Sequence, residues 1–158
     1  MSLEYGFILA LGALIFAFIL SVFIGGKSGK RQIKRLASDV PEISPQHFFE
    51  LRDKVRKKTG GDKKFSGVYI LHNKTKDIYY VGQGVQVPNR VNAHFTGKGN
   101  GDVYADYKYG DKFTIRLIPL YKSGFKSLDE LEAAAINAYG AFSNGYNKTK
   151  GNGVLTAR

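Results

Sequence analysis

The sequence predicts an α/β (α+β) domain built on a small mixed or antiparallel three-stranded sheet flanked by helices, with one transmembrane helix in front of it. Three observations lead to this expectation. The first 26 residues are almost uncharged, three short runs of β-branched and aromatic residues follow residue 66, and segments with helical spacing of apolar residues accompany them. Cysteine is absent, which excludes disulfides and cysteine-based metal sites or nucleophiles.

The N-terminal segment has the length and composition of a membrane span. Residues 5–26 contain no charged residue, and at about 1.5 Å per residue a helix of this length would extend roughly 33 Å, the thickness of a hydrocarbon core. A cleaved signal peptide is the alternative, but the only charge ahead of the run is Glu4 and the sequence VFI at its end is a poor cleavage site. We therefore expect residues 1–26 to be a transmembrane anchor that contacts the lipid bilayer through residues 5–26.

A cluster of basic residues follows the apolar segment, and no Lys or Arg precedes it. The positive-inside rule places such a cluster, and the domain behind it, in the cytoplasm, so we expect a single-pass protein of the cell membrane. Residues 27–43, which include Pro41, are expected to be a basic, polar tether. Small residues at four-residue spacing in the span permit helix pairing, and so a homo-oligomer. The basic residues are Lys27, Lys30, Arg31, Lys34 and Arg35.

The elements expected after the tether are a helix, a hairpin, a helix, a strand and a helix. The first helix, over residues 44–61, begins at Ser44, a good N-cap, and is expected to pack on the following domain, residues 62–158. GVYIL and IYYVG form the hairpin, VPNRVNAHF a short helix, and KFTIRLIPL the third strand. The last helix, SLDELEAAAINAYGAF, starts with a capping box of Ser127 and Glu130. Because the strands are apolar on both faces, helices are expected to cover both sides of the sheet.

The hairpin carries an unusual pair of patterns, GVY at residues 67–69 and YVG at residues 80–82. Further along the chain stand Arg90 and His94, four residues apart, then a Glu with an Ile four residues later in ELEAAAINAYG, and finally GYN. In this order, the five elements resemble the GIY-YIG nuclease superfamily over about residues 65–150. Val replaces Ile in both motifs, which leaves the tyrosines and glycines in place.

The resemblance implies a DNA-cleaving enzyme with one divalent metal ion, Mg²⁺ or Mn²⁺, and no small-molecule cofactor. Tyr69 would orient or deprotonate the attacking water, and Tyr80 would be a positioning hydroxyl. Arg90 would bind the scissile phosphate, and His94 would assist Tyr69 in proton handling. The spacing of Arg90 and His94 agrees, since residues four apart lie on one face of a helix.

The resemblance also implies that Glu132 is the metal ligand and that Asn147 braces the geometry of the site. Glu132 is preferred because Ile136 follows it by four residues, as in the family's motif, whereas Glu130 has a sufficient role in the capping box. A single carboxylate leaves most of the coordination shell to water and substrate oxygens, which suits Mg²⁺. Taken singly, each candidate residue has an ordinary structural reading, and it is their joint occurrence that favours an active site.

The segment GKGNGDVYADYKYGDKF interleaves tyrosines with lysines, a composition that can stack bases and hold phosphates. It is equally the composition of a solvated loop with aromatic anchors, and both readings stay open. Asp102, Asp106 and Asp111 within it fit no compact set of metal ligands. The candidate contacts to nucleic acid are Lys98, Tyr104, Tyr107, Lys108, Lys112 and, after the last helix, Lys148.

The sequence therefore predicts a membrane-anchored, metal-dependent DNA endonuclease. The 24 Lys and Arg against 13 Asp and Glu give a net charge of +11, which favours a polyanionic partner. No zinc-finger spacing and no helix-turn-helix segment is visible, so little sequence specificity is expected. The membrane anchor suggests a task on DNA near the membrane, such as incoming or foreign DNA. The alternative is a catalytically inactive DNA-binding or membrane-tethering module on a nuclease scaffold.

Overall fold

Three antiparallel strands form the sheet at the centre of the fold. The structure is a computed structural model that describes residues 28–61 and 64–152. The strands lie in the order β2-β1-β3, so the first strand of the chain is the central one. The predicted three-stranded sheet is confirmed, and both of its strand pairs are antiparallel. The strands are β1 (Gly67–Asn73), β2 (Ile78–Gly84) and β3 (Phe113–Pro119).

Within the described residues, five helices and one 3₁₀ turn surround this sheet. The short helix and the last helix predicted from the sequence are present as α3 and α5, and the helix before the hairpin is present as α2. The full set is α1 (residues 28–38), α2 (Pro45–Thr59), α3 (Val87–Phe95), α4 (Gly101–Lys108), the 3₁₀ turn (Leu120–Lys122) and α5 (Leu128–Tyr139).

Helices cover both faces of the sheet, as the apolar strands predicted. Side chains alternate along each strand, so each strand contributes to two separate cores. The core under α1 and α5 contains Ile33, Val68, Ile70, Val81, Ile118, Leu131 and Ile136. The core under α2, α3 and α4 contains Phe48, Tyr69, Leu71, Val91, Phe95, Val103, Ile115 and Tyr146.

Serine side chains fix the starts of α2 and α5. The Ser44 hydroxyl accepts a hydrogen bond from the backbone N–H of His47 at 3.1 Å, and Ser127 accepts one from Glu130 at 3.2 Å. The Glu130 carboxylate accepts from the backbone N–H of Lys126, one residue before the N-cap. These bonds satisfy donors that a helix N-terminus leaves without intrahelical partners. Glu130 is thus occupied in capping.

The prediction of a polar tether over residues 27–43 is wrong for most of that range. Residues 28–38 form α1, whose Ile33 and Ala37 are 0% and 2% exposed in the first core. Their four-residue spacing places them on one helix face, while the basic residues lie on the solvent side. The many basic residues made the segment look polar throughout, so its amphipathic pattern was not recognised in the sequence.

Helix α4 lies where the sequence analysis predicted no helix. Its N-cap is Asn100, whose side chain accepts a hydrogen bond from the backbone N–H of Val103 at 3.0 Å. Val103 is its one fully buried residue. A short helix with a single fully buried residue and glycines at its start resembles a loop in composition, which explains the missed prediction.

The predicted membrane span, residues 5–26, lies outside the described residues. Across residues 28–61 and 64–152, no helix combines the length and the hydrophobicity that crossing a bilayer requires.

A polar network ties the hairpin turn to α4 and to the end of the domain. The Asn73 amide donates to Asp111 and to the Tyr146 hydroxyl, both at 2.7 Å, and that hydroxyl donates to Asp106 at 2.6 Å. Lys76 lies 2.7 Å from Asp106 and 3.7 Å from Asp111. A single lysine thus pairs with both aspartates and offsets part of their negative charge.

Candidate active site

Two tyrosines and a histidine meet on the face of the sheet that α3 covers. Tyr69, on the central strand, is 0% exposed, and its hydroxyl lies 2.8 Å from Nε2 of His94 on α3. The ring of Tyr80, from β2, lies 4.6 Å from the His94 ring and 6.1 Å from the Tyr69 ring. Three of the residues that the sequence singled out are thus in mutual contact.

Hydrogen bonds to both of its ring nitrogens define the tautomer of His94. The backbone N–H of Asn100 donates to Nδ1 at 2.9 Å, so Nδ1 carries a lone pair. Burial, followed by the charge of Arg90, lowers the pKa of His94 to about 4, so the ring is neutral at pH 7. A neutral imidazole whose Nδ1 carries no hydrogen must carry its hydrogen on Nε2. His94 therefore donates a hydrogen bond to the Tyr69 oxygen.

This assignment changes the role that the sequence suggested for His94. A ring that already donates through Nε2 cannot take the Tyr69 proton at that atom, so any help in proton handling would come from donating a hydrogen bond to the Tyr69 oxygen. Burial raises the pKa of Tyr69, and Arg90 opposes that rise through its charge and a hydrogen bond. The Tyr69 hydroxyl keeps its own hydrogen, and Tyr80 is its neighbour for a second hydrogen bond.

Gly82 makes room for the Tyr69 hydroxyl. The two residues are opposite each other in the β1–β2 register. A Cβ on Gly82 would lie 2.3 Å from the Tyr69 hydroxyl oxygen and 2.4 Å from Cζ, far inside van der Waals contact. Any larger residue at position 82 would displace the ring, so the glycine of the second motif is required by the tyrosine of the first.

Arg90 stands at the open side of this cluster. It lies on α3, exposed to solvent, one helical turn before His94. Its stem passes close to Gly84, where a Cβ would lie 2.9 Å from the Arg90 Cγ. Burial is the main cause of the raised pKa of Tyr80 and of the lowered pKa of His94, and the positive charge of Arg90 opposes the first shift and adds to the second. An exposed guanidinium at this position can bind a phosphate.

Glu132 reaches the same edge of the sheet from the opposite face. It lies on α5, only 8% exposed. Its Oε2 accepts hydrogen bonds from the Gln83 side chain at 3.0 Å and from the backbone N–H of Asn152 at 3.3 Å. Burial is the main cause that raises the pKa of Tyr80, and the charge of Glu132 adds to it. Because Tyr80 and Gln83 lie on opposite faces of β2, this strand connects the two halves of the site.

Asn147 braces the outer edge of β2. Its side-chain amide donates to the Val81 carbonyl at 2.7 Å, and its side-chain oxygen accepts from the Val81 N–H at 2.8 Å. The backbone N–H of Tyr146 donates to the Tyr79 carbonyl at 2.9 Å. These bonds pair groups that an edge strand would otherwise leave open, and they hold the strand that carries Tyr80 and Gln83.

Comparison with known families agrees with this arrangement. A family model described as the GIY-YIG catalytic domain matches residues 65–147, more than half of the 158-residue chain. The chain belongs to the GIY-YIG catalytic domain family. This is a family of endonucleases. No curated protein and no solved structure gives a significant match.

The donor set of the GIY-YIG domain fits a hard divalent cation held by few protein ligands. Among the residues that the structure describes, no group of three or more His, Asp or Glu side chains converges. Glu132 supplies one carboxylate, and Asp129 lies one turn before it on α5. Mg²⁺ keeps several waters and is commonly bound by one or two carboxylates together with phosphate oxygens. The residues present therefore fit Mg²⁺ or Mn²⁺ at Glu132.

The predicted contacts to nucleic acid are divided between solvent and core. All four lysines, Lys98, Lys108, Lys112 and Lys148, are exposed, and Lys148 also pairs with Asp102 at 2.9 Å. The half-buried Tyr104 packs against Gly97. Tyr107 is also half-buried, with ring centroids 4.8 Å from Phe95 and 6.2 Å from Phe113. Its ring is therefore a packing residue of the second core, and a base-stacking role is not supported for it.

Two residues that touch the site were missed in the sequence analysis. Gln83 follows the second motif directly, and strand alternation, counted from Val81, would have placed it toward α5. Asn100 acts on His94 through its backbone, which no side-chain pattern reveals. A Cβ at the neighbouring Gly99 would lie 2.6 Å from Nδ1 of His94, so a glycine there lets the loop approach the ring.

We predict that the ring of His94 stays uncharged at pH 6 and takes up a proton only near its pKa of about 4. Since an unfolded histidine has a pKa of about 6.5, the unfolded chain binds this proton first. The contribution of His94 to the free energy of unfolding is therefore complete above about pH 6.5 and is lost as the pH falls towards 4. NMR of the ring nitrogens, with the His94 signals assigned by their loss in His94→Gln, measures the pKa of the ring and shows which nitrogen carries the hydrogen. A ring that titrates near pH 6.5, or that carries its hydrogen on Nδ1, would contradict this account.

Proposed function

We propose that this protein is a metal-dependent DNA endonuclease, anchored to the cell membrane by residues 5–26 with its catalytic domain in the cytoplasm. The observation that carries the catalytic part is that β2 has the contact cluster of Tyr69, Tyr80 and His94 on one face and Glu132, bound by Gln83 of the same strand, on the other. Membership in a family of endonucleases supports the same reaction class. The proposed reaction is hydrolysis of a phosphodiester bond by an attacking water.

The tyrosine cluster would bind and orient that water. Tyr69 accepts a hydrogen bond from His94 and can donate its own to the water. To act as the base, Tyr69 would first release its own proton to solvent, and the His94 N–H and the Arg90 guanidinium would stabilise the resulting phenolate, which the proton taken from the water then neutralises. Tyr80, beside both rings, would be a positioning hydroxyl. The burial that raises the pKa of Tyr69 disfavours its ionised form, so these two donors are needed if Tyr69 acts as the base.

Arg90 and Glu132 would act on the phosphate from the two sides of β2. The exposed guanidinium of Arg90 can form paired hydrogen bonds with phosphoryl oxygens. Glu132 would hold Mg²⁺ or Mn²⁺, which supplies positive charge to the phosphoryl and leaving oxygens when bound. Asn147 would keep β2 in place between them.

The charge of the chain supports DNA as the substrate. The net charge of +11 favours a polyanion, and Lys98, Lys108 and Lys112 are exposed for contacts to backbone phosphates. Contacts to phosphates carry no sequence information. We therefore propose cleavage with little sequence specificity. Because the proposed anchor holds the domain at the membrane, the proposed substrate is incoming or foreign DNA near the membrane. The alternative, an inactive DNA-binding or tethering module, would leave the grouped catalytic side chains without a purpose.

We predict that the full-length chain nicks supercoiled plasmid DNA with Mg²⁺ and not with EDTA, and that Glu132→Gln lowers the rate at least about a hundredfold. Loss of groups that merely support a metal ligand costs about 10- to 100-fold, so loss of the ligand should cost more. Glu130→Gln is the matched control, because it removes a carboxylate from the same helix and should leave the rate within a few-fold. DNA binding without cleavage by the unmodified chain would favour the inactive module.

We also predict that the protein stays in the membrane fraction after alkaline carbonate extraction, because residues 5–26 have the length of a bilayer core. Exposed Lys30, Arg31 and Arg35 on α1 supply the positive flank that directs the domain to the cytoplasm. Protease added to intact cells should leave the domain whole and should degrade it after permeabilisation. Release by carbonate would refute the anchor, and digestion in intact cells would refute the cytoplasmic placement.

A further inference from the structure

The side chain of Gln83 connects two carboxylates of α5. Its Nε2 donates to Oδ1 of Asp129 at 2.7 Å and to Oε2 of Glu132 at 3.0 Å. A primary amide nitrogen has two hydrogens, and here each of them has a carboxylate acceptor. Both carboxylate oxygens therefore lie within 3.0 Å of one nitrogen, a close approach for two groups of like charge.

Strand and helix periodicity together produce this arrangement. Gln83 is two residues after Val81 on β2 and so projects toward α5, on the face opposite to Tyr80. Asp129 and Glu132 are three residues apart on α5 and so lie on the same side of that helix. The antiparallel sheet fixes the strand under the helix, which leaves Gln83 facing both acids.

The hydrogen bonds hold one oxygen of Glu132 in particular. Gln83 and the backbone N–H of Asn152 both donate to Oε2. Among the described residues, no hydrogen bond ends on the other oxygen, Oε1. The carboxylate is thus fixed through one oxygen and keeps the second for a ligand, while Asp129 adds negative charge beside it.

We propose that Gln83 is a positioning residue that holds the Glu132 carboxylate in place for binding a divalent cation. Asp129 is the second carboxylate bound by the same amide. This inference rests on the proposed function, in which Glu132 is the metal ligand. A free Glu side chain must be ordered when it binds a metal ion, and that ordering opposes binding. With Gln83 in place the carboxylate is already ordered. Groups that orient metal ligands in this way typically change metal affinity 10- to 100-fold.

A structural role for Gln83 predicts a different outcome. If the Gln83 amide only stabilises the start of α5 by its hydrogen bonds to the two carboxylates, its loss should lower the free energy of unfolding without changing metal affinity. Affinity therefore has to be measured directly, apart from the rate of cleavage.

The test is a titration of the full-length chain in detergent micelles with Mn²⁺, in which electron paramagnetic resonance counts free Mn²⁺. Gln83→Met keeps the length of the side chain and removes both hydrogens. We expect it to bind Mn²⁺ at least about tenfold more weakly than the unmodified chain. Gln46→Met is the matched control, because Gln46 is exposed on α2, where its amide lies 3.5 Å from Glu50. Gln83→Leu repeats the measurement if Gln83→Met fails to fold.

The Mn²⁺ affinity of Glu132→Gln, measured in the same way as that of Gln83→Met, separates the positioning role of Gln83 from the proposed role of Glu132 as the metal ligand. Loss of binding in Glu132→Gln together with weakened binding in Gln83→Met supports the positioning role. Loss in Glu132→Gln with unchanged affinity in Gln83→Met overturns the role of Gln83 and leaves the proposed function standing. Unchanged affinity in Glu132→Gln removes Glu132 as the ligand and overturns both.

Discussion

The close approach of Tyr69 to Gly82 is the contact on which the site depends. The Tyr69 ring lies across the neighbouring strand, in space that only a glycine leaves free. The hydroxyl thereby reaches His94 while the ring stays in the core. The first motif has a similar constraint, because a Cβ on Gly67 would lie 2.4 Å from the carbonyl oxygen of Ile118 on β3. The glycines of the two motifs thus allow the close packing of strands and rings that holds the tyrosine.

The site lies at the β2 edge because that strand serves both faces of the sheet. Tyr80 projects toward α3, with the aromatic cluster, and Gln83 projects toward α5, with Glu132. Neither core contains the whole site, and each supplies half of it. An edge strand that carries such a site must not shift or pair with another chain, and the amide of Asn147 prevents this by bonding to both backbone groups of Val81.

Local sequence signals predicted the parts of the fold that are locally determined. Serine caps and apolar spacing identified α2 and α5, and the β-branched runs identified all three strands. Helices α1 and α4 were missed, because basic residues dominate the composition of α1 and only one residue of α4 is fully buried. The sequence also singled out Tyr69, Tyr80 and His94, which the structure brings into contact. It did not reveal Gln83 or the Asn100 backbone, since their roles arise from contacts between distant segments.

The most direct test of the account is the rate of plasmid nicking by Tyr69→Phe, which removes one oxygen atom from the centre of the site. The matched control is Tyr109→Phe, which makes the same change in a side chain that is 86% exposed. The account predicts that Tyr69→Phe remains folded, loses about 1–3 kcal/mol of stability because the His94 N–H loses its acceptor, and cleaves DNA at least about a hundredfold more slowly. Cleavage by Tyr69→Phe at the rate of the unmodified chain would contradict it.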